Sequence, residues 1–192
     1  NHALPHTPNT KMITAKQGIG PISTEIIEAV YRYSHYHRTQ LMLIASKNQI
    51  DYNGGYVNNW TTKQYSEFLR SMKRKYQNSN ILNCRDHCGP GFNGTYDVDD
   101  TYKTINADIA NGVDLIHIDF CHFKGNKQET FNESRKAIEH CLRINPNILL
   151  EIGTDENVGA NFTVNDLSVI EEEVNFYKEF CKKPPASCFL SE

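Results

Sequence analysis

Asn80-Ile-Leu-Asn-Cys84 is a short, mostly apolar run, and Arg85-Asp86-His87-Cys88-Gly89-Pro90 follows it at once. Such a run is too short for a helix and suits a strand, and Gly89-Pro90 closes the polar residues in a turn. The same order recurs on both sides. Met12–Ala15, Leu41–Ala45, Leu115–Asp119 and Asn147–Ile152 are further strand-length runs. Between them lie helical patterns. Tyr65, Phe68, Leu69, Met72 and Tyr76 share one helical face behind a Thr61 or Thr62 cap. Ser23 or Thr24 opens a helix with Ile26, Ile27 and Val30, and Tyr102, Ile105 and Ile109 mark another that stops at Gly112. Thr130-x-x-Glu133 reads as a capping box for a helix with Ile138, Cys141 and Leu142 on one face. Leu167, Ile170, Val174, Tyr177 and Cys181 form the last stripe, which Pro184-Pro185 ends. Strand then helix, repeated five times, is the βα grammar of a parallel sheet, either doubly wound or a (β/α)8 barrel.

Residues 1–192 read as one domain, with 1–10 a polar N-terminal extension that lacks the charged-then-apolar order of a signal peptide. A hydrophobic fraction of 39% with 22% charged residues suffices for a packed core and excludes a disordered chain. Twenty basic against 23 acidic residues disfavour a nucleic-acid binder. No apolar run approaches the roughly 20 residues of a membrane span. Six cysteines without a CxxC pair read as reduced thiols in a cytoplasmic protein. Sequons at Asn59, Asn93, Asn132 and Asn161 are no more than this Asn-, Ser- and Thr-rich composition produces by chance.

Polar chemistry collects after the strands. The second leads into Ser46-Lys47-Asn48-Gln49 and Asn53-Gly54-Gly55, and the third into Asp86-His87. The fourth ends at Asp119, with Cys121-His122 and Lys124-Gly125 beyond it. The fifth carries Glu151 and leads into Gly153-Thr154-Asp155-Glu156. In both architectures ligands bind beyond the C-terminal strand ends, so these groups converge on one mouth. Singly, each has a plainer reading. Asp86-His87 is a polar turn, Asn53-Gly54-Gly55 a tight turn without phosphate-loop spacing, and Cys84 and Cys88 are packing thiols. His117, between Ile116 and Ile118, reads as a core histidine.

Asn48-Gln49, Gly54-Gly55-Tyr56, Asp86-His87-x-Gly89-Pro90 and Ile116-His117-Ile118-Asp119, in this order, resemble the accessory subunit family of class II tagatose-bisphosphate aldolases. The resemblance covers about residues 17–157 and implies a (β/α)8 barrel acting on ketose phosphates, with sugar or uronate epimerases among its relatives. It implies zinc held by His87, with Glu151 near the metal and His122 as a possible further ligand. It implies Asp86 as the proton-shuttling carboxylate and Glu156, with Asp155, near the acidic loop that serves as base. Asn48, Gln49, Gly54, Gly55 and Asp119 would bind substrate. A zinc ion polarises a ketone and needs neutral imidazoles, while a carboxyl group moves the hydroxyl proton. The expected partners are a sugar phosphate and an aldolase subunit or a second copy of the chain. Only five of eight βα units are legible in 192 residues, against about 250 for a barrel, so strand five is expected to present an open edge.

Overall fold

A computed structural model describes residues 13–153, 171, 174, 175, 178 and 188–190. Its strands are β1 (Gly18–Ile19), β2 (Gln40–Ser46), β3 (Asn80–Cys88), β4 (Leu115–Ile118), β5 (Leu149–Ile152) and β6 (Cys188–Leu190). The helices are α1 (Thr24–His37), α2 (Thr62–Lys75), α3 (Val98–Ala110) and α4 (Lys127–Ile144). The six strands form one parallel sheet in sequential order.

Which faces the helices cover decides between the two architectures. Residues paired in register across parallel strands point the same way, so Leu43, Asn83 and Arg85 share a face with Ile116 and Leu150. Onto that face α1 packs Ile27, Val30 and Tyr31, and α2 packs Tyr65 and Leu69. Ile105 of α3 and Ala137, Ile138 and Cys141 of α4 continue the same layer. The opposite face carries a smaller cluster of Leu82, Cys84, Leu115 and Leu149, with Ile13, Met42 and Ile44 against it. Among the described residues, α1 to α4 lie on one side and strand order does not reverse, which excludes a doubly wound sheet. The fold is a partial (β/α) barrel, and the smaller cluster is its interior.

Four expectations need correction. The sheet does not end at strand five, because β6 pairs with β5 through Leu150↔Cys188 and Ile152↔Leu190 and covers its edge. The first strand is Gly18–Ile19, and of the expected run 12–15 the described residues 13–15 form no strand, because the backbone N–H groups of Thr14 and Ala15 donate to the Gln40 side chain in place of a ladder. Strand three extends through the polar residues to Cys88, since its pairing with β2 persists to Ser46↔Asp86. Helix α4 starts one turn before Thr130. Asn126 accepts from the Glu129 N–H, and the Glu129 side chain answers to the Asn126 N–H at 2.8 Å. The α2 cap, expected at Thr61 or Thr62, is Thr61, which forms a capping box with Gln64. Among the described residues no helix is long and apolar enough to cross a membrane.

Candidate functional site

The site begins with an irregularity in β3. Strict alternation would send Asp86 into the barrel and His87 out toward the helices. Between Arg85 and Cys88 the strand instead carries one residue more than β4, which spans Ile116 to Ile118 over the same interval. This bulge keeps Arg85 and Cys88 facing the helices and turns both Asp86 and His87 into the mouth. His87 absorbs the change with a left-handed backbone at φ 46°, a conformation unusual for a residue with a Cβ and concentrated at functional sites. Gly89 then passes so close to β4 that a Cβ there would lie 1.4 Å from the Asp119 carbonyl oxygen. No other residue fits.

Asp86, His87 and His117 come together at the C-terminal end of the strands. Asp86 Oδ1 is 3.4 Å from His117 Nδ1 and 3.8 Å from His87 Nε2. The backbone N–H of His87 also approaches His117 Nδ1, at 3.3 Å. On the far side of its ring, His87 Nδ1 pairs with Asp119 Oδ2 at 2.7 Å. The Asp119 carboxylate is fixed in turn by the Cys121 backbone N–H, which donates to Oδ1 at 3.0 Å. Asp86 and His87 reach solvent, while His117 and Asp119 are buried.

The carboxyl groups titrate low. For Asp86, burial pushes upward, but the His117 hydrogen bond and the charges of both imidazoles outweigh it and hold the pKa below its ordinary value. Burial of Asp119 is likewise outweighed, by its bonds to His87 and Cys121. Both are carboxylates near neutral pH.

These donors fit a divalent cation. Asp86 Oδ1 is within 3.8 Å of a nitrogen of each imidazole, so an ion held by the imidazoles would have the carboxylate beside it. A carboxylate on the far nitrogen of an imidazole is how metal-ligating histidines are commonly oriented, and it turns Nε2 of His87 toward Asp86. His117 Nε2 is buried without a hydrogen-bond partner. Gly153 leaves room beside it, since a Cβ there would lie 2.6 Å from that nitrogen and 2.8 Å from the Asp119 carboxyl carbon. Among the described residues, Asp86, His87 and His117 form the group close enough to share an ion.

The other expected site residues are distributed around this cluster. Glu151 stands in register with His117 on the adjacent strand. His122 lies against Phe92, ring centroids 4.7 Å apart, and is outside the three-residue group. Gln49 is at the end of β2, where its side-chain oxygen accepts from the Ser46 N–H at 2.9 Å. Asn48 is exposed in the same connection. Gly55 has a structural reason there, since a Cβ would strike the Gln49 backbone, and Gly54 has a φ of 104°. Asp155 and Glu156 lie outside the described residues. The residue that sequence reasoning placed in the core is His117. Its signal was phase: Ile116 and Ile118 face the helices, so His117 faces the interior with Leu115.

No protein-family model matches the chain. Its fold is shared with solved structures. A probable tagatose 6 phosphate kinase from Sinorhizobium meliloti 1021 superposes with a TM-score of 0.67 at 18% identity, over 86% of this chain and 45% of that one. A fructose-bisphosphate aldolase from Campylobacter jejuni superposes at 0.63 with 13% identity, over 92% of this chain and 51% of its own. The chain thus spans about half the length of these structures. At such identities the likeness is one of fold, and it agrees with the barrel read from the sheet.

Proposed function

We propose that the chain belongs to a metal-dependent, class II-type aldolase system acting on ketose bisphosphates, of which tagatose bisphosphate is the substrate suggested by its sequence motifs. The observation that carries this reading is the Asp86–His87–His117 cluster, with Asp119 behind His87, at the barrel end where substrates bind. The fold shared with an aldolase structure supports it.

His87 and His117 would hold a zinc or similar first-row ion, with Glu151 on the neighbouring strand and His122 a further candidate ligand from the sequence, while Glu156 is the candidate base. When bound, such an ion supplies Lewis-acid polarisation of a carbonyl oxygen. Asp86, ionised and partly exposed, accepts the proton of the substrate hydroxyl on the carbon that becomes the aldehyde as the carbon–carbon bond breaks. Asp119 holds the His87 ring so that Nε2, not Nδ1, faces the substrate side. Asn48, Gln49, Gly54 and Gly55 line the neighbouring strand end, where the rest of the sugar would lie. The buried free thiols Cys84, Cys88 and Cys141 accord with a reducing, cytoplasmic setting.

A second reading is a partner subunit that stabilises a separate aldolase. Exposed Ile22, just before α1, and Tyr33 and Tyr36 on α1 favour it, as apolar surface offered to another chain.

A coupled assay of ketose bisphosphate cleavage tests the proposal. Cleavage should vanish with chelator, return with zinc or cobalt, and fall at least about 100-fold in Asp86→Asn. If the chain alone is inert but raises the activity of a catalytic aldolase, the partner reading replaces it. Inertness in both assays overturns both readings.

A further inference from the structure

A cavity of about 450 Å³ lies at the other end of the strands from the Asp86–His87–His117 cluster, where β3 and β4 begin. Ser66, Arg70 and Lys73 of α2 line it at the spacing that places side chains on one helix face. Asn83 of β3, Tyr31 of α1 and Asp114, just before β4, complete the polar lining.

Asn83, Ser66 and Tyr31 are each more than nine-tenths buried. Asn83 pairs in register with Leu43, so its side chain points toward the helices and into this cavity. Its backbone is satisfied, since its N–H donates to Asp114 Oδ2 at 2.9 Å and its carbonyl accepts from the Asp114 N–H at 2.8 Å. Its side-chain amide has no hydrogen-bond partner among the described residues. The Ser66 hydroxyl is also without a partner, although a helical serine can bond back to the preceding turn. Burial and the Asp114 charge raise the Tyr31 pKa and keep its hydroxyl a donor. Buried polar groups are nearly always bonded, so an open amide and an open hydroxyl on one cavity mark where the polar atoms of a ligand fit.

The rim is cationic. Lys73 Nζ donates to the Gln77 carbonyl at 3.0 Å and to the Ser79 carbonyl, which fixes its charge in the last turn of α2. Arg70 is exposed one turn earlier and has no ion-pair partner among the described residues. Two cations therefore stand against the single carboxylate of Asp114.

We propose that this cleft binds a small hydroxylated anion, a sugar or polyol that carries one phosphate or carboxylate group. The Arg70 guanidinium takes the acid group, because its planar fork matches either. The Asn83 amide and the Ser66 hydroxyl both donate and accept, which suits the hydroxyl groups of such a molecule. Leu69 and Ile81 offer its carbon atoms an apolar wall. The volume is in the range of small-molecule sites. The proposal stands apart from the metal-site reading, since none of its residues belongs to that cluster.

NMR titration of the Asn83 side-chain amide, assigned by its loss in Asn83→Leu, tests this with ribose phosphate and gluconate as probes. Either probe should shift that amide saturably, and the one that does identifies the acid group. Affinity should fall about tenfold or more in Arg70→Ala, an exposed substitution that leaves the core intact. It should weaken with added salt, and uncharged ribose should bind less tightly than either anion. Asp86→Asn should shift the amide at the wild-type affinity, which separates this cleft from the mouth. If neither probe moves the Asn83 amide at millimolar concentration, the cavity holds water alone and the proposal is overturned. Equal affinity for ribose, or an affinity unchanged in Arg70→Ala, overturns it as well.

Discussion

Arg85 and Asp86 are adjacent on β3, yet one faces the helices and the other the mouth, and the two faces treat charge differently. The Arg85 guanidinium pairs with Asp108 through Nε at 2.7 Å and through Nη2 at 2.8 Å, and Nη1 donates to the Ala45 and Ile50 carbonyls. The side chains of this pair are 2% and 0% exposed. Those of Asp86 and His87 are 35% and 42% exposed, and their contacts to neighbouring charged groups run from 2.7 to 3.8 Å. Behind the sheet, charge is buried and its hydrogen bonds are completed, which makes it structural. In the mouth, charge is crowded and partly exposed, which puts it within reach of a ligand.

The largest expected effect is on the buried side. Asp108→Ala leaves Arg85 buried without its partner and should cost about 3–5 kcal/mol in urea unfolding. Arg85→Met/Asp108→Leu, which removes both charges, should recover most of that loss. Asp86→Asn, one residue away, should change stability by less than about 1 kcal/mol. Equal losses for Asp108→Ala and Asp86→Asn would break the comparison.

Acid gives a smaller and directional effect. Burial would raise the Asp100 pKa, but Lys47, Tyr52 and Asn93 outweigh it and hold it below the usual 3.8. A depressed folded-state pKa contributes stability that is present above pH 3.8 and is lost as pH falls through the folded value. Unfolding free energy should therefore decline below about pH 4, and Asp100→Asn should flatten that decline. An unchanged acid profile in Asp100→Asn would show that the Lys47 pair is not part of it.

The smallest effect sharpens the role of burial. Lys75 and Glu28 are 2.6 Å apart, as close as Arg85 and Asp108, but their side chains are 56% and 40% exposed. A double-mutant cycle on this pair should give a coupling near the error of the measurement and lost in high salt. A coupling as large as that of Arg85 with Asp108 would mean that distance, not burial, sets the difference.

Much of this was legible in the sequence, for reasons that differ by element. Strands β2 to β5 announced themselves because apolar β-branched and leucine runs are short and bounded by turns. The cap of α2 did so because a threonine just before an apolar helical face is a local signal. Asp86 and Asp119 were legible as strand-end polar residues. The bulge was not, because Arg85-Asp-His-Cys88 alternates no pattern that tells a three-residue span from a two-residue one; only its pairing with β4 does. His117 was hidden by the same ambiguity, as a polar residue between isoleucines faces the interior or the helices depending on register. Strand β6 was missed because Cys188–Leu190 has three residues, too few for any period to show. The bond that Asn93 donates to Asp51 spans 42 residues of sequence and so left no local trace.

The account turns on whether the mouth cluster binds a metal ion, and equilibrium dialysis against zinc with the metal counted per chain addresses this most directly. One ion per chain is expected for the wild type, lost in both His87→Ala and His117→Ala, while each variant keeps its cooperative unfolding. Zinc that survives both substitutions, or a folded wild-type chain that takes up none, would contradict it.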